Sequence, residues 1–441
     1  MKNLINISKK IDQFRSKIYI PSDKSISIRC VLLASQAIGV SKIYNLLESD
    51  DVINSLKCIK KLGINFKKFK NFYKIYGYGL NGFNTEKKLI VNAGNSGTLA
   101  RLILGLLVNS KKLVKIKGDK SLSKRDFERV INPLKSFGAS INSNNAFLPV
   151  NILGSNFLRP IDYYEKLGSA QCKSAVMFAA LKTPGITKIK AKKSRDHTEL
   201  LYKNLNIPIK ITKKPNHDFI EVKGISNFKG FNYKIPGDIS SCSFFIVLTL
   251  LADNSRLVIK NVNINSTRIG IIKILNKMNA KIKFKSKRKY KGETIADIIV
   301  NSRKKLKGIN CPKNLNSSAI DEFLVIFLVA AKSKGISNFS NLGELNKKES
   351  PRLDIGVELL KKIGVKVIRN KENIKIYGNP NLELKGKYKI FNFRKDHRVF
   401  MTSSIAALAF GGNWTIEDKD SVKTSFPSFF KIIKKLGARI S

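Results

Sequence analysis

The polar and apolar positions of this chain repeat six times. In each copy, a segment with helical spacing of apolar residues ends in an apolar residue, then Gly or Asn, then a short alternating strand. Gly and Asn tolerate the left-handed conformation that closes a helix. The six junctions lie about 68–85 residues apart, at Leu62-Gly63-Ile64, Phe137-Gly138-Ala139, Leu205-Asn206-Ile207, Met278-Asn279-Ala280, Ile363-Gly364-Val365 and Leu436-Gly437-Ala438. The pattern predicts six copies of one βαβ-rich unit.

Each copy also contains a second helical segment that is apolar nearly all round. A helix without a polar face must be buried on every side. Three such helices in each half of the chain predict two α/β domains, each built around three buried helices, with a crossover near Pro236-Gly237. The six predicted segments are residues 26–37, 97–108, 169–181, 240–252, 320–331 and 399–409.

Composition agrees with two soluble domains. The chain has 441 residues, of which 43% are hydrophobic, enough for two cores. Five cysteines are scattered without metal-site spacing, which indicates reduced thiols in a cytoplasmic protein. The first residues do not form a signal sequence, and the longest apolar runs, 244–252 and 323–331, are about half the length of a membrane helix. We therefore expect no membrane association.

The formal net charge of +52 raises the question of nucleic-acid binding. The lysines are spread over the whole chain, however, and aromatic residues do not alternate with them as a base-stacking groove would require. We favour a protein that does not bind nucleic acid, and keep a non-catalytic basic repeat protein as the alternative. A positive field would attract small anionic substrates.

Polar residues cluster where the buried helices begin. Helix N-termini offer free N–H groups and a positive partial charge, so they bind anions. Capping alone explains Ser and Asp at these positions, but basic residues are repelled there. An anion between them would explain the cations. The basic residues near these ends are Lys24, Arg29, Arg101 and Arg398.

Eleven short segments resemble, in order, those of the enolpyruvyl transferase family, the 5-enolpyruvylshikimate-3-phosphate synthases in particular. Together they extend along almost the whole chain. They are PSDKSISIR (21–29), ESDDV (48–52), NSGTLAR (95–101), GDKSLSKR (118–125), GSAQCKSA (168–175), SRDHTE (194–199), PGDISS (236–241), IDEF (320–323), KESPR (348–352), DHR (396–398) and SFP (425–427).

The resemblance implies a two-domain inside-out α/β barrel with six βαβαββ-type repeats, three per domain. Residues 1–21 plus 236–441 would form a discontinuous domain with catalytic carboxylates, and 22–235 an inserted domain with the shikimate-phosphate pocket. The active site would lie in the cleft between them. The implied reaction moves the enolpyruvyl group of phosphoenolpyruvate to the 5-hydroxyl of shikimate 3-phosphate by addition–elimination and releases phosphate, in aromatic amino acid biosynthesis. The resemblance implies no cofactor or metal, and a monomer.

The resemblance also assigns roles to individual residues. Asp321 resembles the proton acceptor for the 5-hydroxyl and Glu349 the proton donor to the methylene carbon, with Lys24 also catalytic. Residues expected to bind shikimate 3-phosphate are Lys24, Ser25, Arg29, Ser169, Ala170, Gln171, Ser194, Asp321 and Lys348. Residues expected to bind phosphoenolpyruvate are Lys24, Gly97, Arg125, Gln171, Arg352, Arg398 and Lys423.

The site residues have simpler alternatives. Asp321 could be only a helix cap and Glu349 a surface charge, and Arg125, Arg352 and Arg398 could be solvated surface residues. A sister enzyme that transfers enolpyruvyl to UDP-N-acetylglucosamine is the alternative function, although its loop cysteine has no counterpart in 95–101 or 118–125.

Some residues depart from the family pattern. Ser22 replaces a usual glycine, Ile28 a common histidine, Asp126 a usual proline and Pro351 a usual aspartate, and Lys423 is displaced by one position.

Overall fold

The computed structural model describes residues 3–441. The chain divides into two compact units. Unit 1 comprises Met1–Pro21, Pro236–Lys289 and Thr294–Ser441, and unit 2 comprises Ser22–Ile235 with Tyr290–Glu293. Each unit is built around a hydrophobic core of its own.

The helices of the described chain fall into two kinds, some buried on all sides and some amphipathic. In chain order they are α1 (Lys24–Ala34), α2 (Asp50–Lys61), α3 (Gly97–Leu106), α4 (Glu128–Ser136), α5 (Ala170–Lys182), α6 (His197–Asn204), α7 (Ile239–Leu251), α8 (Gly270–Lys277), α9 (Asn316–Ala319), α10 (Phe323–Ala331), α11 (Arg352–Lys362), α12 (His397–Phe410) and α13 (Phe429–Lys435). Short 3₁₀ helices cover Leu122–Lys124, Lys313–Leu315, Gly343–Lys347 and Lys419–Thr424.

The strands are short and most alternate buried and exposed positions. They are β1 (Leu4–Ile7), β2 (Arg15–Tyr19), β3 (Ile38–Tyr44), β4 (Phe66–Lys68), β5 (Phe72–Tyr78), β6 (Leu89–Asn92), β7 (Val114–Lys117), β8 (Ser140–Asn144), β9 (Phe147–Leu153), β10 (Asp162–Glu165), β11 (Ile186–Lys192), β12 (Ile209–Lys213), β13 (His217–Lys223), β14 (Asn232–Lys234), β15 (Arg256–Asn263), β16 (Lys283–Tyr290), β17 (Glu293–Asn301), β18 (Gly335–Phe339), β19 (Val367–Asn370), β20 (Asn373–Gly378), β21 (Leu384–Ile390) and β22 (Gly411–Glu417).

The sheets repeat the same plan. Unit 2 has three sheets, ordered β14-β3-β5-β4, β6-β7-β9-β8 and β10-β11-β13-β12. In each, one parallel pair is followed by two antiparallel pairs, as a βαβαββ unit requires. Unit 1 also has three among the residues described, ordered β1-β22-β21, β16-β17-β15-β2 and β18-β20-β19. The prediction of six α/β copies, three in each half, is confirmed.

The junctions that revealed the repeat close their helices as predicted. Gly63, Gly138, Asn206, Asn279, Gly364 and Gly437 all have positive φ, between 55° and 112°. In five of the six copies, the next residue donates its N–H to a carbonyl five residues back, as Ile64 does to Ile59 at 2.9 Å. This bond closes the last helical turn and satisfies a carbonyl that would otherwise lack a partner.

The apolar segments form helices inside the units. Every residue of α7 and α10 is buried, and α1, α3, α5 and α12 are buried along most of their length. Because the sheets lie outside these helices, each unit is the inverse of an ordinary α/β barrel. Among residues 3–441, no helix is both long and apolar enough to span a bilayer.

One predicted helix was wrong in its first turn. Residues 320–331 were expected to be continuous, but α9 ends at Ala319, residues 320–322 form a turn, and α10 begins at Phe323. The polar side chains of Asp321 and Glu322 explain the break, because each bonds to groups outside the helix. The turn places Asp321 just before α10 rather than on it.

Candidate active site

The centre of the polar cluster in unit 1 is Arg352, the first residue of α11. Although it is an arginine, it is only 1% exposed. Its Nε and Nη2 atoms lie 2.8 and 3.2 Å from the two carboxylate oxygens of Asp396, a bidentate pair. Ser350 donates a further hydrogen bond to Asp396, at 2.8 Å. The expectation that Arg352 could be a solvated surface residue is wrong.

Two more carboxylates lie against the same guanidinium group. Arg352 Nη2 bonds to Glu349, and Nη1 lies 3.4 Å from Asp321 Oδ1. The same Asp321 oxygen is 3.2 Å from Lys348 Nζ. The cluster therefore contains the predicted acid, the predicted base and the predicted assisting lysine, all within unit 1. The N-cap residue of α10 is Glu322, and Asp321 lies one position before it.

Arg398 lies in the first turn of α12 and completes the carboxylate cluster, which we define as Asp321, Glu322, Lys348, Glu349, Arg352, Asp396 and Arg398. Its Nη1 donates to the Asp321 carbonyl at 2.9 Å, and its Nη2 donates to Ser240 Oγ at 2.6 Å. Ser240 in turn donates to Glu322, which lies 3.7 Å from Arg398. Arg398 thus connects the first turns of α7 and α12 with the turn before α10.

Burial and charge compete in this cluster. Burial alone would raise the pKa of Asp396, but the neighbouring Arg352 outweighs it and holds that pKa below its ordinary value. For Arg352, burial would lower the pKa, and the surrounding carboxylates of Asp396, Glu349 and Asp321 raise it instead. Asp396 and Arg352 are both charged at neutral pH, and Arg352 also pairs with Glu349.

Unit 2 carries a different cluster, in which several arginines donate to amide, hydroxyl and carbonyl oxygen atoms. Gly97 begins α3, and a Cβ atom there would lie 2.8 Å from Arg101 Nη1 and 3.1 Å from Arg125 Nη1. Arg125 donates to Asn95 Oδ1 at 3.0 Å. Arg101 donates to Gln171 Oε1 at 3.0 Å, and Gln171 donates to Thr98 at the same distance. Glycine at 97 therefore makes room for two guanidinium groups at one helix end.

The predicted shikimate-phosphate residues lie on α1, α5 and the segment before α6. Arg29 is buried; its Nε donates to Thr198 at 2.8 Å, its Nη2 to Ser174 at 2.9 Å, and its Nη1 to the Ser25 carbonyl at 3.0 Å. Ser25 and Arg29 are thus on one helical face, as predicted. We call Lys24, Arg29, Arg101, Arg125 and Gln171 the basic cluster.

The other predicted residues of this pocket lie near those helices. Lys24 Nζ pairs with Asp51 at 2.7 Å. Ser169 caps α5 by accepting the N–H of Cys172, and Ala170 and Gln171 are the next two residues of that helix. Ser194 is only 7% exposed, yet its hydroxyl has no hydrogen-bond partner among the described residues. Such a hydroxyl is suited to an incoming phosphate oxygen.

The departures from the family pattern have local explanations. Ser22 donates to the Asn45 carbonyl, and Ile28 is fully buried in the core. The Asp126 carboxylate accepts the N–H of Glu128 at 2.7 Å, while its carbonyl accepts from Arg101. Pro351 lies just before α11, where a missing N–H costs little.

Lys423 differs from the other predicted phosphoenolpyruvate ligands. Its side chain is 62% exposed and lies 2.7 Å from Asp420 within the same 3₁₀ helix. The residues of the carboxylate cluster are largely buried, whereas Lys423 is exposed. The assignment of Lys423 as a ligand therefore stays a prediction, with less support than that of Arg352 or Arg398.

Sequence reasoning left two contributing residues without a role. Asp396 was seen only as part of the motif DHR, and Arg101 only as a cation near a helix end. Both bond directly to predicted site residues, Asp396 to Arg352 and Arg101 to Gln171. The sequence contained a signal for both residues, since each lies within four positions of a residue predicted to bind substrate. Over residues 3–441, no group of three or more His, Cys, Asp or Glu side chains could hold a metal ion.

Comparison with known proteins agrees with this arrangement. The family model for EPSP synthase (3-phosphoshikimate 1-carboxyvinyltransferase) matches residues 8–433. The 3-phosphoshikimate 1-carboxyvinyltransferase of Ruthia magnifica subsp. Calyptogena magnifica is 40% identical over 96% of this chain and 95% of that protein. The one from Caldicellulosiruptor bescii is 38% identical over 96% and 98%.

Solved structures give the same answer. EPSP synthase from Acinetobacter baumannii superposes with a TM-score of 0.86 at 32% identity, covering 99% of each chain. The inside-out α/β fold predicted from the sequence is thereby confirmed. From the family match over most of its length and the similarity of its relatives, the chain belongs to the EPSP synthase family.

Proposed function

We propose that this chain moves the enolpyruvyl group of phosphoenolpyruvate to the 5-hydroxyl of shikimate 3-phosphate, and that the two clusters divide the work. The activity is that of the family to which the chain belongs. The observation that carries the assignment of roles is the meeting of Asp321 and Glu349 on one buried arginine. Addition of a hydroxyl to an enol needs one group to accept a proton and another to donate one.

The carboxylate cluster would perform the proton transfers. Asp321 removes the proton of the 5-hydroxyl as its oxygen attacks C2 of phosphoenolpyruvate, and Glu349 delivers a proton to the methylene carbon. As the C–O bond to phosphate breaks, the methyl group loses a proton back to Glu349, which forms the enol ether, and the proton held by Asp321 leaves with inorganic phosphate. Lys348, 3.2 Å from Asp321, stabilises negative charge on the substrates during both steps. Arg352 and Arg398 bind phosphoenolpyruvate and fix the two carboxylates.

The basic cluster would bind the anionic groups of the substrates. Both substrates carry a phosphate and a carboxylate, which require several fixed cations and N–H groups. Arg29, Ser25, Ser169, Ala170 and Ser194 are suited to shikimate 3-phosphate. Gly97, Arg125 and Gln171 are suited to phosphoenolpyruvate, and Lys24 to both. We propose that both units contribute to the same pair of substrates, because neither cluster alone supplies all these groups.

Further features belong to the same proposal. The chain acts as a monomer in the cytoplasm. It does not bind nucleic acid, since its positive charge is spread over the whole sequence rather than placed in one groove. Size-exclusion chromatography with light scattering tests the oligomeric state. A gel shift with duplex DNA at low and moderate salt tests whether the chain binds nucleic acid.

Phosphate release is the direct test of the function. The purified chain is mixed with phosphoenolpyruvate and either shikimate 3-phosphate or UDP-N-acetylglucosamine, and inorganic phosphate is measured over time. We expect release with shikimate 3-phosphate and none with the nucleotide sugar. Release only with the nucleotide sugar would assign the chain to the sister reaction, and release with neither acceptor would contradict the proposal.

A further inference from the structure

Unit 2 has a second cavity, at the opposite end of its buried helices. The basic cluster lies at the N-terminal ends of α1, α3 and α5, whereas this cavity of about 250 Å³ lies beyond the C-terminal ends of α1 and α5. Lys182, the last residue of α5, lines it. Lys182 and Gln171 are eleven residues apart on one helix, which corresponds to roughly 17 Å. The cavity is therefore separate from the substrate-binding residues of this unit.

Lys182 is buried without a counterion. The residue is 6% exposed, and among residues 3–441 no carboxylate or hydrogen-bond partner acts on the pKa of its ammonium group, which burial alone lowers. Its described neighbour is the ring of Phe83, 5.4 Å from Nζ to the centroid. The carbonyls at the end of α5 already accept other donors, Ala179 from the Thr183 hydroxyl and Leu181 from the Ile225 N–H. A buried ammonium with a cation–π contact alone is incompletely stabilised.

Lys332 in unit 1 occupies the corresponding position of its repeat and allows a comparison. It follows the buried helix α10 directly, and its Nζ lies 5.9 Å from the ring of Phe410. Unlike Lys182, it is only half-buried and feels the carboxylates of Asp253 and Glu383. The two lysines thus share a place in the repeat, but only Lys332 has negative charge nearby. The missing anion at Lys182 is the feature that needs an explanation.

The rest of the cavity wall is apolar at its mouth. Ile38 and Tyr78, opposite each other on β3 and β5, are 51% and 59% exposed, and Ile225 is 59% exposed. Ile225 has φ of 53°, a strained conformation for a β-branched residue. Asn81 and Asn227 add amide groups, and Tyr78 is the other ionisable side chain of the lining. No acidic side chain of the described chain lines the cavity.

We propose that this cavity is a binding site for a small monocarboxylate with an aromatic or branched apolar body. The carboxylate pairs with Lys182, the asparagine amides bind its second oxygen, and the body packs against Ile38, Tyr78 and Ile225. At about 250 Å³ the cavity is smaller than the 300–1,000 Å³ typical of sites for drug-sized ligands. An acid of the size of phenylacetate is therefore the appropriate probe. The inference is independent of the proposed function.

Isothermal titration calorimetry of the full chain with phenylacetate tests the site. We expect Lys182→Met to weaken binding by at least about tenfold, because a charged hydrogen bond is lost. Lys332→Met, the matched control, leaves the affinity unchanged. Phenylacetamide, which has the same shape without the charge, binds at least about tenfold more weakly than phenylacetate. Affinity for phenylacetate falls above neutral pH, because burial lowers the pKa of Lys182 to about 7.

Two outcomes overturn the proposal: equal binding of phenylacetate by the native chain and Lys182→Met, or displacement of phenylacetate by saturating shikimate 3-phosphate.

A measurement on the native chain removes any dependence on how the variant folds. The chain is acetylated briefly with an amine-reactive ester near neutral pH, and modification at each lysine is followed by mass spectrometry. Phenylacetate should slow acetylation at Lys182 and leave Lys332 unaffected. Unchanged acetylation of Lys182 at saturating phenylacetate contradicts the site.

Discussion

The two units use the same repeat for different electrostatic purposes. In unit 1, Arg352 is in contact with three carboxylates, from Asp321, Glu349 and Asp396. In unit 2, Arg29 donates to the hydroxyls of Ser174 and Thr198 and to a carbonyl, and Arg101 donates to an amide and to carbonyls. Both clusters lie where buried helices begin. The helix ends supply the scaffold, and the neighbouring side chains decide what each cluster does.

This difference separates binding from proton transfer. An arginine bonded to neutral oxygens keeps its positive charge available to an anion, whereas one surrounded by carboxylates mainly fixes those carboxylates. Changes to the carboxylates of unit 1 should therefore act on the chemical step and on stability. Changes to the arginines of unit 2 should act on substrate affinity.

The largest effect is expected at Asp321. We predict that Asp321→Asn lowers kcat by about 10²–10⁴, the usual contribution of a general base, with small changes in both KM values. Asp12→Asn, an exposed aspartate of the same unit paired with Lys9, is the control and should leave kcat unchanged. Steady-state phosphate release measures both variants. If Asp321→Asn kept normal kcat while both KM values rose, Asp321 would be a binding residue and the distinction between the units would fail.

Asp396 is predicted to dominate the stability of the carboxylate cluster. Asp396→Asn leaves the buried Arg352 without its bidentate partner and should reduce the free energy of unfolding by about 3–5 kcal/mol at neutral pH. Because the pKa of Asp396 is below its ordinary value in the folded chain, its contribution is present above the ordinary aspartate pKa of about 4 and is lost as pH falls through the folded value. The difference between native chain and variant should therefore shrink in acid.

Urea unfolding at neutral and acidic pH measures this loss. Asp354→Asn, on α11 with Arg352, is the control, since its ion pair with Arg369 is partly exposed and should contribute less than about 1 kcal/mol. A loss for Asp396→Asn no larger than that of the control would show that Arg352 is held by other groups.

Substrate preference should distinguish Arg29 from Arg125 within unit 2. Arg29→Ala is expected to raise the KM for shikimate 3-phosphate far more than that for phosphoenolpyruvate, and Arg125→Ala the reverse. Each charged hydrogen bond is worth about 1.5–3 kcal/mol, or roughly 10–150-fold. Ser25→Ala, a milder change beside Arg29, should show the same preference at smaller size. Equal effects of both arginine variants on both KM values would contradict the assignment of the pockets.

The smallest effect is expected at Gly97. Gly97→Ala places a Cβ atom against the guanidinium ends of Arg101 and Arg125. These flexible side chains can move away, but they then no longer occupy the positions proposed for substrate binding. We predict a rise of about three- to tenfold in the KM for phosphoenolpyruvate, while stability is unchanged or increases by up to about 1 kcal/mol. Gly105→Ala on the same helix should instead destabilise, because its Cβ would meet the Ala175 carbonyl. Kinetics and thermal unfolding of both variants separate the two cases.

Local rules explain why most of the fold was predictable. Gly63 and its five counterparts have a positive φ, which Gly and Asn adopt more easily than other residues. The apolar helical segments have no polar face and are therefore stable only in the interior of a unit. The break before α10 was not predictable from apolar periodicity, because it depends on bonds from Asp321 to Lys348 and from Glu322 to Ser240.

The site was predictable in its residues but not in its contacts. Motifs identified Asp321, Glu349 and Arg352, yet nothing in the sequence places three carboxylates on one guanidinium group. That arrangement depends on tertiary packing of α11 against the first turn of α12. Lys182 could have been noticed as a charge at the end of the apolar run AVMFAAL, but its lack of a counterion is visible only in three dimensions.

A single-turnover comparison of Asp321→Asn with Arg29→Ala tests the division between the two clusters most directly. Each variant is mixed at high concentration with both substrates, one limiting, and product is measured after rapid quenching across a range of substrate concentrations. The account predicts that Asp321→Asn lowers the maximal rate by about 10²–10⁴ with half-saturation nearly unchanged. It predicts that Arg29→Ala shifts half-saturation for shikimate 3-phosphate with a maximal rate close to that of the native chain. The reverse pattern, or equal loss of both quantities in both variants, would contradict it.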